Sequence, residues 1–357
     1  MPKHQVRASA PNLAGVVPYD PKYIPAEVMI SANENPDDVD QEVRREIEHE
    51  IRKVHLNRYP DPLANGLRDL IAEANGLDRD NVIVGNGGDE LLFNIALAYG
   101  GPGRTMLNIP PTFSVYAYNA MLTRTNVVDI PRLPDFSIDE DAVVQRVAQG
   151  DIDYLTITSP NNPTGDLASE EFVRRVLDAS DTLVMVDEAY FEFSRRTVRP
   201  LLNEYDNLVI LRTFSKAFSL AGVRLGYLLG SEGVINEFKK VRQPYSVDAV
   251  SQAIGQVVYK NRARFEKSVD RIIEERGKLV EGISAIGGIE VWPSDSNYVL
   301  VRLADAGEVW QKLLDAGVLV RDFSKSQYLE NCLRISVGSP EENDMLLLEL
   351  GRIVKGN

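Results

Sequence analysis

Two patterns of apolar and polar residues alternate through the middle of the chain. Short apolar runs are each followed by a stretch in which apolar residues recur at about every third or fourth position. The short apolar runs are typical of buried strands, and the stretches with spaced apolar residues are typical of amphipathic helices. The predicted strands are 81–84, 105–109, 126–130, 154–158, 182–186, 208–212 and 225–229, and the predicted helices between them are 89–99, 113–122, 139–148 and 169–179. This alternation predicts an α/β fold in which a mainly parallel sheet carries helices on both faces.

The pattern changes near residue 245. Residues 248–286 form one long helical pattern without proline. Mixed elements follow, with predicted strands at 289–292, 298–303, 318–320 and 333–337 and predicted helices at 308–316 and 340–354. A single core rarely exceeds about 250–300 residues, which favours more than one lobe. We therefore predict an N-terminal arm at 1–28, a large domain at 29–244 and a smaller α+β domain at 245–357.

Charge and composition narrow the range of partners. The net charge of −14 disfavours nucleic acid and anionic membranes. No segment approaches the roughly 20 apolar residues of a membrane span, and the first residues lack a signal-peptide pattern. The single cysteine, Cys332, cannot form an internal disulfide, and the three histidines have no zinc-site spacing. We expect a cytoplasmic protein without a metal site.

Chemically suggestive residues directly follow several of the predicted strands. They are the Gly87-Gly88-Asp89 turn, Asn162, Asp187 and Lys216. In sheets of this kind, ligands bind in the crevice outside the carboxyl ends of the strands. The placement predicts a binding site at that edge.

Lys216 is the most suggestive of these residues. Hydroxyl side chains flank it in the segment 213–224, and Arg224 follows eight residues later. A lysine that reacts with a carbonyl compound needs a lowered pKa, while hydroxyls and an arginine suit a phosphate. Taken alone, the segment also describes a surface loop with an ordinary lysine.

Asp187 follows four apolar residues at the end of a predicted strand. A buried carboxylate needs a charged or hydrogen-bonding partner. A cationic ring nitrogen of a ligand and a structural salt bridge both satisfy that need. The turn at 159–165 and the glycine turn at 85–90 are also ambiguous singly, although the second joins a strand to a helix, where a phosphate can bind. It lacks the G-x-G-x-x-G spacing of a dinucleotide site.

The motifs are far more specific as an ordered set. They include SPNNPTG at 159–165, VDEAY at 186–190 and SKAFSLAGVRLGY at 215–227, together with ANENP at 32–36, NRYP at 57–60 and CLRISVG at 332–338. With these motifs the chain resembles the fold-type-I aminotransferases that depend on pyridoxal 5'-phosphate (PLP), from Pro18 to Arg334. Within that family it looks most like the histidinol-phosphate aminotransferases.

The resemblance implies a role for each cofactor contact. Lys216 would bind PLP as a Schiff base and then move the proton, and Asp187 would keep the ring nitrogen protonated. Asn162 and Tyr190 would bind the ring oxygen, and Phe113 would stack on the ring. The cofactor phosphate would be bound by Gly87, Gly88, Asp89, Thr213, Ser215 and Arg224, and by Tyr59 from the neighbouring subunit of a homodimer.

The resemblance also implies a substrate. Tyr19, Tyr59 and Arg321 would bind the phosphate ester of the amino donor, Arg334 would bind the carboxylate of the acid substrate, and Asn162 would also contact the substrate. The reaction would convert histidinol phosphate and 2-oxoglutarate to imidazole acetol phosphate and glutamate, in histidine biosynthesis. An aromatic-amino-acid aminotransferase and a phosphothreonine-type decarboxylase remain alternatives, and Arg321 could instead be an exposed cation at the end of a strand.

Overall fold

The computed structural model describes residues 7–14, 16 and 24–356. The elements of the first part of the chain are β1 (Val28–Met29), α1 (Gln41–Ile51), α2 (Asn65–Asn75), β2 (Val82–Asn86), α3 (Gly87–Tyr99), β3 (Thr105–Asn108), α4 (Val115–Leu122), β4 (Asn126–Asp129), α5 (Glu140–Val147), β5 (Tyr154–Thr158), α6 (Glu170–Ala179), β6 (Leu183–Asp187), α7 (Phe191–Ser194), β7 (Leu208–Thr213), β8 (Leu225–Gly230) and α8 (Glu232–Val241). The remaining elements are α9 (Ala249–Lys260), α10 (Glu266–Ile286), β9 (Ile289–Val291), β10 (Tyr298–Leu303), α11 (Ala306–Asp315), β11 (Val318–Leu319), β12 (Arg321–Asp322), β13 (Cys332–Ser336) and α12 (Pro340–Lys355). Short 3-10 helices lie at Pro11–Leu13, Arg79–Asn81, Arg199–Asn203, Ala221–Val223 and Arg262–Phe265.

A seven-stranded sheet forms the centre of the larger part of the molecule. Its strand order is β2-β8-β7-β6-β5-β3-β4, and β8 alone runs antiparallel to the other six strands. Every residue of β5, β6 and β7 is buried, as expected for central strands that are covered by helices on both faces. The predicted α/β fold with a mainly parallel sheet is confirmed.

The carboxyl ends of the site-bearing strands meet at one edge of this sheet. β5, β6 and β7 are parallel neighbours. β2 and β7 both run antiparallel to β8 and therefore point in the same direction. Asn86, Thr158, Asp187 and Thr213 end these four strands, so the segments that follow them start from the same edge.

A second hydrophobic cluster surrounds a four-stranded antiparallel sheet of order β12-β13-β10-β9. The helices α10, α11 and α12 pack against it. β1 joins this region by pairing in parallel with β11, with Val28 opposite Val318. Val28 and Ile30 are buried in this second cluster. The segment that follows them, 31–34, lines the cavity described below.

The prediction of one helical stretch over 248–286 is wrong in one respect. A 3-10 turn at Arg262–Phe265 separates α9 from α10. α9 buries Val257 and Val258 in the cluster of the large sheet, whereas α10 buries Val269 and Ile272 in the second cluster. The two helices therefore pack into different hydrophobic cores, and the chain changes direction between them. The three-part domain division itself stays a prediction.

No helix within the described ranges is both long and apolar enough to cross a membrane.

Candidate active site

A cavity of about 520 Å³ lies at the carboxyl edge of the large sheet. Residues from both sheets line it, together with the 31–34 segment. The predicted site residues that line it are Gly88, Asp89, Phe113, Asn162, Asp187, Tyr190, Thr213, Ser215, Lys216, Arg224, Arg321 and Arg334. Residues that are up to 246 positions apart in the sequence thus surround one space.

Two predicted site residues within the described ranges stand apart from this lining. Gly87 is the first residue of α3 and precedes Gly88, which lines the cavity. Tyr59 is 82% exposed and stacks on Tyr245 with ring centroids 4.5 Å apart, away from the cavity of its own chain. Tyr19 falls outside the described residues. The predicted roles of Tyr59 and Tyr19 therefore stay predictions.

Lys216 follows β7 and directs its amine toward the 31–34 segment. Its Nζ donates to the carbonyl oxygen of Ala32 at 2.8 Å. Burial, and after it the positive charge of Arg334, lowers the pKa of Lys216 to about 8. An amine with this pKa is unprotonated in a substantial fraction of molecules near neutral pH and can act as a nucleophile or a base.

Asp187 ends β6 and is 4% exposed. Its Oδ1 accepts from the backbone N–H of Ala189 at 2.9 Å, and its Oδ2 accepts from the hydroxyl of Tyr116 at 2.6 Å. Burial raises the pKa of Asp187 to about 6, while the hydrogen bond from Tyr116 opposes that rise. Tyr116 was not predicted from the sequence.

Asn162 and Tyr190 are each held in place by a neighbouring side chain. Arg334 donates from Nη1 to Asn162 Oδ1 at 2.5 Å and from Nη2 to the carbonyl oxygen of Ser31 at 2.6 Å. Asn33 donates to the hydroxyl oxygen of Tyr190 at 3.0 Å. Asn33 and Ser31 had no predicted role, although Asn33 lies within the ANENP motif.

The start of α3 forms an anion-binding end of the cavity. No side chain caps this helix, so its first N–H groups are available to a ligand. Arg224 donates to Asp89 Oδ2 at 2.9 Å, and a Cβ on Gly87 would come within 2.6 Å of its guanidinium. Gly226 on β8 has a similar role, because a Cβ there would lie 2.8 Å from the backbone nitrogen of Gly88. The two glycines allow Arg224 and β8 to approach the helix start closely.

Hydroxyl side chains complete this end of the cavity. The Thr213 hydroxyl donates to Ser215 Oγ at 3.0 Å, and the backbone N–H of Ser215 donates to Thr213 Oγ1 at 3.1 Å. Helix N–H groups, two hydroxyls and a guanidinium are the groups that proteins use to bind a phosphate.

Arg321 and Arg334 are direct partners across the antiparallel pair of β12 and β13. Directly opposed residues project from the same face of a sheet, and two like charges in that position repel each other. The ring of Phe323 lies near both, with its centroid 5.9 Å from the Arg321 guanidinium carbon and 5.8 Å from that of Arg334. Phe323 also lines the cavity and was not predicted. This pair of arginines makes the wall of the cavity suitable for an anionic ligand.

The chain also has clear relatives. Residues 27–350 match the model of the family "Aminotransferase class I and II". The chain is 40% identical to histidinol-phosphate aminotransferase 1 of Carboxydothermus hydrogenoformans, over 96% of this chain and 97% of that protein.

Two solved structures share the fold at lower identity. Histidinol-phosphate aminotransferase from Sinorhizobium meliloti in complex with PLP has a TM-score of 0.89 and 23% identity, with 99% of each chain covered. L-threonine-O-3-phosphate decarboxylase from Porphyromonas gingivalis has a TM-score of 0.81 and 23% identity, over 92% of this chain and 99% of that one. Both an aminotransferase and a decarboxylase therefore have this fold, so the fold alone does not distinguish the two reactions. By its family match the chain belongs to the class I and II aminotransferases, as a PLP-dependent enzyme that exchanges an amino group between an amino donor and a 2-oxo acid.

Proposed function

We propose that this aminotransferase converts L-histidinol phosphate and 2-oxoglutarate to imidazole acetol phosphate and glutamate, a step of histidine biosynthesis. The observation that carries the proposal is the opposed pair Arg321 and Arg334 in the wall of the cavity that contains Lys216. The relative from Carboxydothermus hydrogenoformans, which bears the name of this activity, supports it.

Two arginines suit a site that must accept two different anions in turn. Histidinol phosphate carries a phosphate ester and no carboxylate, whereas 2-oxoglutarate carries two carboxylates. A guanidinium binds either group through paired N–H donors. We assign Arg321 to the phosphate of the donor and Arg334 to a carboxylate of the acid, with Tyr19 and Tyr59 as further contacts for the phosphate.

The cavity also has the groups that PLP requires. The uncapped start of α3, with Thr213, Ser215 and Arg224, would hold its phosphate. Phe113 would cover one face of its ring, and Asn162 and Tyr190 would bind the ring oxygen. When bound, PLP supplies a carbonyl group for the substrate amine and a ring that withdraws electrons from the bond to be broken.

Lys216 has two tasks in this proposal. Its amine would bind the cofactor covalently in the resting enzyme and, once released, would move a proton from the substrate Cα to the carbonyl carbon of the cofactor. An amine whose pKa is about 8 can do both, because its protonated and neutral forms interconvert near neutral pH. Arg334 contributes by lowering that pKa in addition to its contacts with Asn162 and Ser31.

Asp187 has an electrostatic task. Its carboxylate would face the ring nitrogen of PLP and keep a proton there. The two hydrogen bonds from Ala189 and Tyr116 fix the orientation of the carboxylate in a buried position. The buried site strengthens the attraction between the carboxylate and a protonated ring.

Homodimer formation and a cytoplasmic location are part of the same proposal. Tyr59 and Leu56 are 82% and 85% exposed, and Tyr59 stacks on Tyr245 outside the cavity of its own chain. Exposed aromatic and aliphatic side chains of this kind are typical of interface positions. Dimerisation through this surface would bring Tyr59 to the active site of the partner subunit.

The substrate proposal is tested with purified holoenzyme and three amino donors. Histidinol phosphate, phenylalanine and O-phosphothreonine are each supplied with 2-oxoglutarate, and glutamate and carbon dioxide are measured. We expect glutamate formation with histidinol phosphate at the highest kcat/KM and no carbon dioxide release. A preference for phenylalanine would indicate an aromatic aminotransferase, and carbon dioxide from O-phosphothreonine would indicate a decarboxylase.

A further inference from the structure

Tyr116 contacts the carboxylate on which the electrostatics of the cofactor depend. Its hydroxyl donates to Asp187 Oδ2 at 2.6 Å, and the two residues are 3% and 4% exposed. Burial alone favours the protonated form of a carboxyl group, whereas a hydrogen bond donated to the charged form favours ionisation. Tyr116 therefore opposes the effect of burial on Asp187.

Thr158 holds the tyrosine hydroxyl from the other side. Thr158 and Asp187 are Cα partners at the ends of β5 and β6, and Thr158 Oγ1 lies 2.9 Å from the hydroxyl oxygen of Tyr116. A tyrosine hydroxyl has one proton, and here that proton is donated to Asp187, so Thr158 is the donor in the second contact. An oxygen that accepts a hydrogen bond becomes a stronger donor itself, so Thr158 strengthens the contact with Asp187.

From this geometry we infer that Tyr116 is a positioning residue for the transfer reaction and acts through Asp187. It orients the carboxylate, keeps it ionised and thereby holds the proton on the ring nitrogen of PLP. The inference rests on the proposed placement of Asp187 at that nitrogen. Burial and the nearby charge of Asp187 raise the pKa of Tyr116 well above its ordinary value, so the hydroxyl keeps its proton and remains a donor.

The test uses holoenzyme loaded with nitrogen-labelled PLP, in which nitrogen NMR reports the protonation of the ring. Tyr116→Phe removes the hydroxyl and retains the ring, which packs edge-on against Phe113 at 5.6 Å. We expect the ring nitrogen of this variant to lose its proton at a pH roughly one to two units lower than in the wild type. The dissociation constant of PLP should rise by roughly tenfold or more.

Three further variants separate the hydroxyl contact from general packing. Thr158→Val should shift the titration in the same direction by a smaller amount, and Thr158→Ser, which keeps the hydroxyl, should restore the wild-type titration. Tyr154→Phe is the matched control, because Tyr154 belongs to the same hydrophobic cluster and is absent from the cavity lining. Its titration should equal that of the wild type.

Asp187→Asn makes the two possible failures distinguishable. If this variant shifts the ring titration and Tyr116→Phe does not, the inference about Tyr116 is wrong and the placement of Asp187 stands. If neither variant shifts it, the placement of Asp187 and the inference are both wrong.

Discussion

Arg321 and Arg334 face each other across two antiparallel strands, and both line the cavity that contains Lys216. Like charges in directly opposed positions weaken a sheet unless a ligand compensates them. A bound anionic ligand would compensate the two charges, which gives the arrangement a functional explanation. The contacts of the two arginines differ, and this difference separates their tasks. Arg334 donates hydrogen bonds to Asn162 and Ser31, whereas the guanidinium carbon of Arg321 lies 5.9 Å from the ring centroid of Phe323.

Replacing Arg321 should separate phosphorylated from unphosphorylated donors. A charge-assisted hydrogen bond contributes about 1.5–3 kcal/mol, so Arg321→Ala should lower kcat/KM for histidinol phosphate by roughly ten- to a hundredfold. Arg321→Lys should recover only part of the loss, because an ammonium group lacks the paired donors. Steady-state kinetics with histidinol phosphate and histidinol measure the difference.

A matched control for that variant is Arg302→Ala. Arg302 lies on β10 outside the cavity lining, with its guanidinium 4.9 Å from the ring of Trp292. It should leave the preference for the phosphorylated donor unchanged. Equal losses for both donors in Arg321→Ala would assign Arg321 to the scaffold.

Covalent capture of PLP should depend on pH through Lys216. Its pKa is lowered to about 8, so below that pH the amine is increasingly protonated and unreactive. We expect the rate constant for capture by cofactor-free enzyme to rise with pH through a midpoint near 8 and then level off. Arg334→Gln should move the midpoint to higher pH, because removal of the positive charge stabilises the ammonium form. Stopped-flow absorbance measures the rate, and a wild-type midpoint near the ordinary lysine pKa of about 10.4 would contradict the account.

Asp187 should make the stability of the cofactor-free enzyme depend on pH. Its folded-state pKa is raised from 3.8 to about 6, so between these values the folded protein keeps a proton that the unfolded chain releases. The free energy of unfolding should therefore fall as the pH rises from about 4 to about 6, by about 2 kcal/mol relative to Asp187→Asn. Urea denaturation of both proteins over this range measures it. A difference that is independent of pH, or that grows with pH, would show that the pKa of Asp187 is not raised.

Shared active sites can be tested by mixing two inactive variants. A Lys216→Ala subunit and a Tyr59→Ala subunit together form a hybrid dimer with one intact site, if Tyr59 acts on the partner subunit. Random pairing should restore about a quarter of the wild-type activity. The control mixes Lys216→Ala with Asp187→Asn, which act on the same subunit and should restore nothing. Equal recovery in both mixtures, or none in either, would contradict a role for Tyr59 across the interface.

The periodic parts of the fold were predictable from the sequence. The strands at 154–158 and 298–303 have the predicted bounds, because buried runs between turn residues leave few alternatives. The break between α9 and α10 was missed because Arg262–Phe265 contains neither proline nor glycine. The helix α2 was missed as well, because it starts after Ala64, which has a left-handed backbone and no side-chain cap. Gly66, the second residue of α2, also makes the sequence pattern there typical of a loop.

The cavity was predictable where ordered motifs contribute to it. The residues that were missed contribute through contacts between distant parts of the chain. Tyr116 and Asp187 are 71 positions apart, and Asn33 and Tyr190 are 157 positions apart. Phe323 follows Arg321 by two residues, just past the end of β12, and the alternation of an extended chain would place both side chains on one side, which is a signal that periodicity could have given.

The central claim is that Lys216 is the residue that binds PLP covalently. The direct measurement is reduction of the holoenzyme with borohydride, followed by proteolysis and mass spectrometry of the peptides. We expect a single peptide to carry the reduced cofactor, attached to Lys216, and Lys216→Ala protein to yield none. A cofactor attached to another lysine, or an unmodified Lys216 in enzyme that transaminates at the full rate, would contradict it.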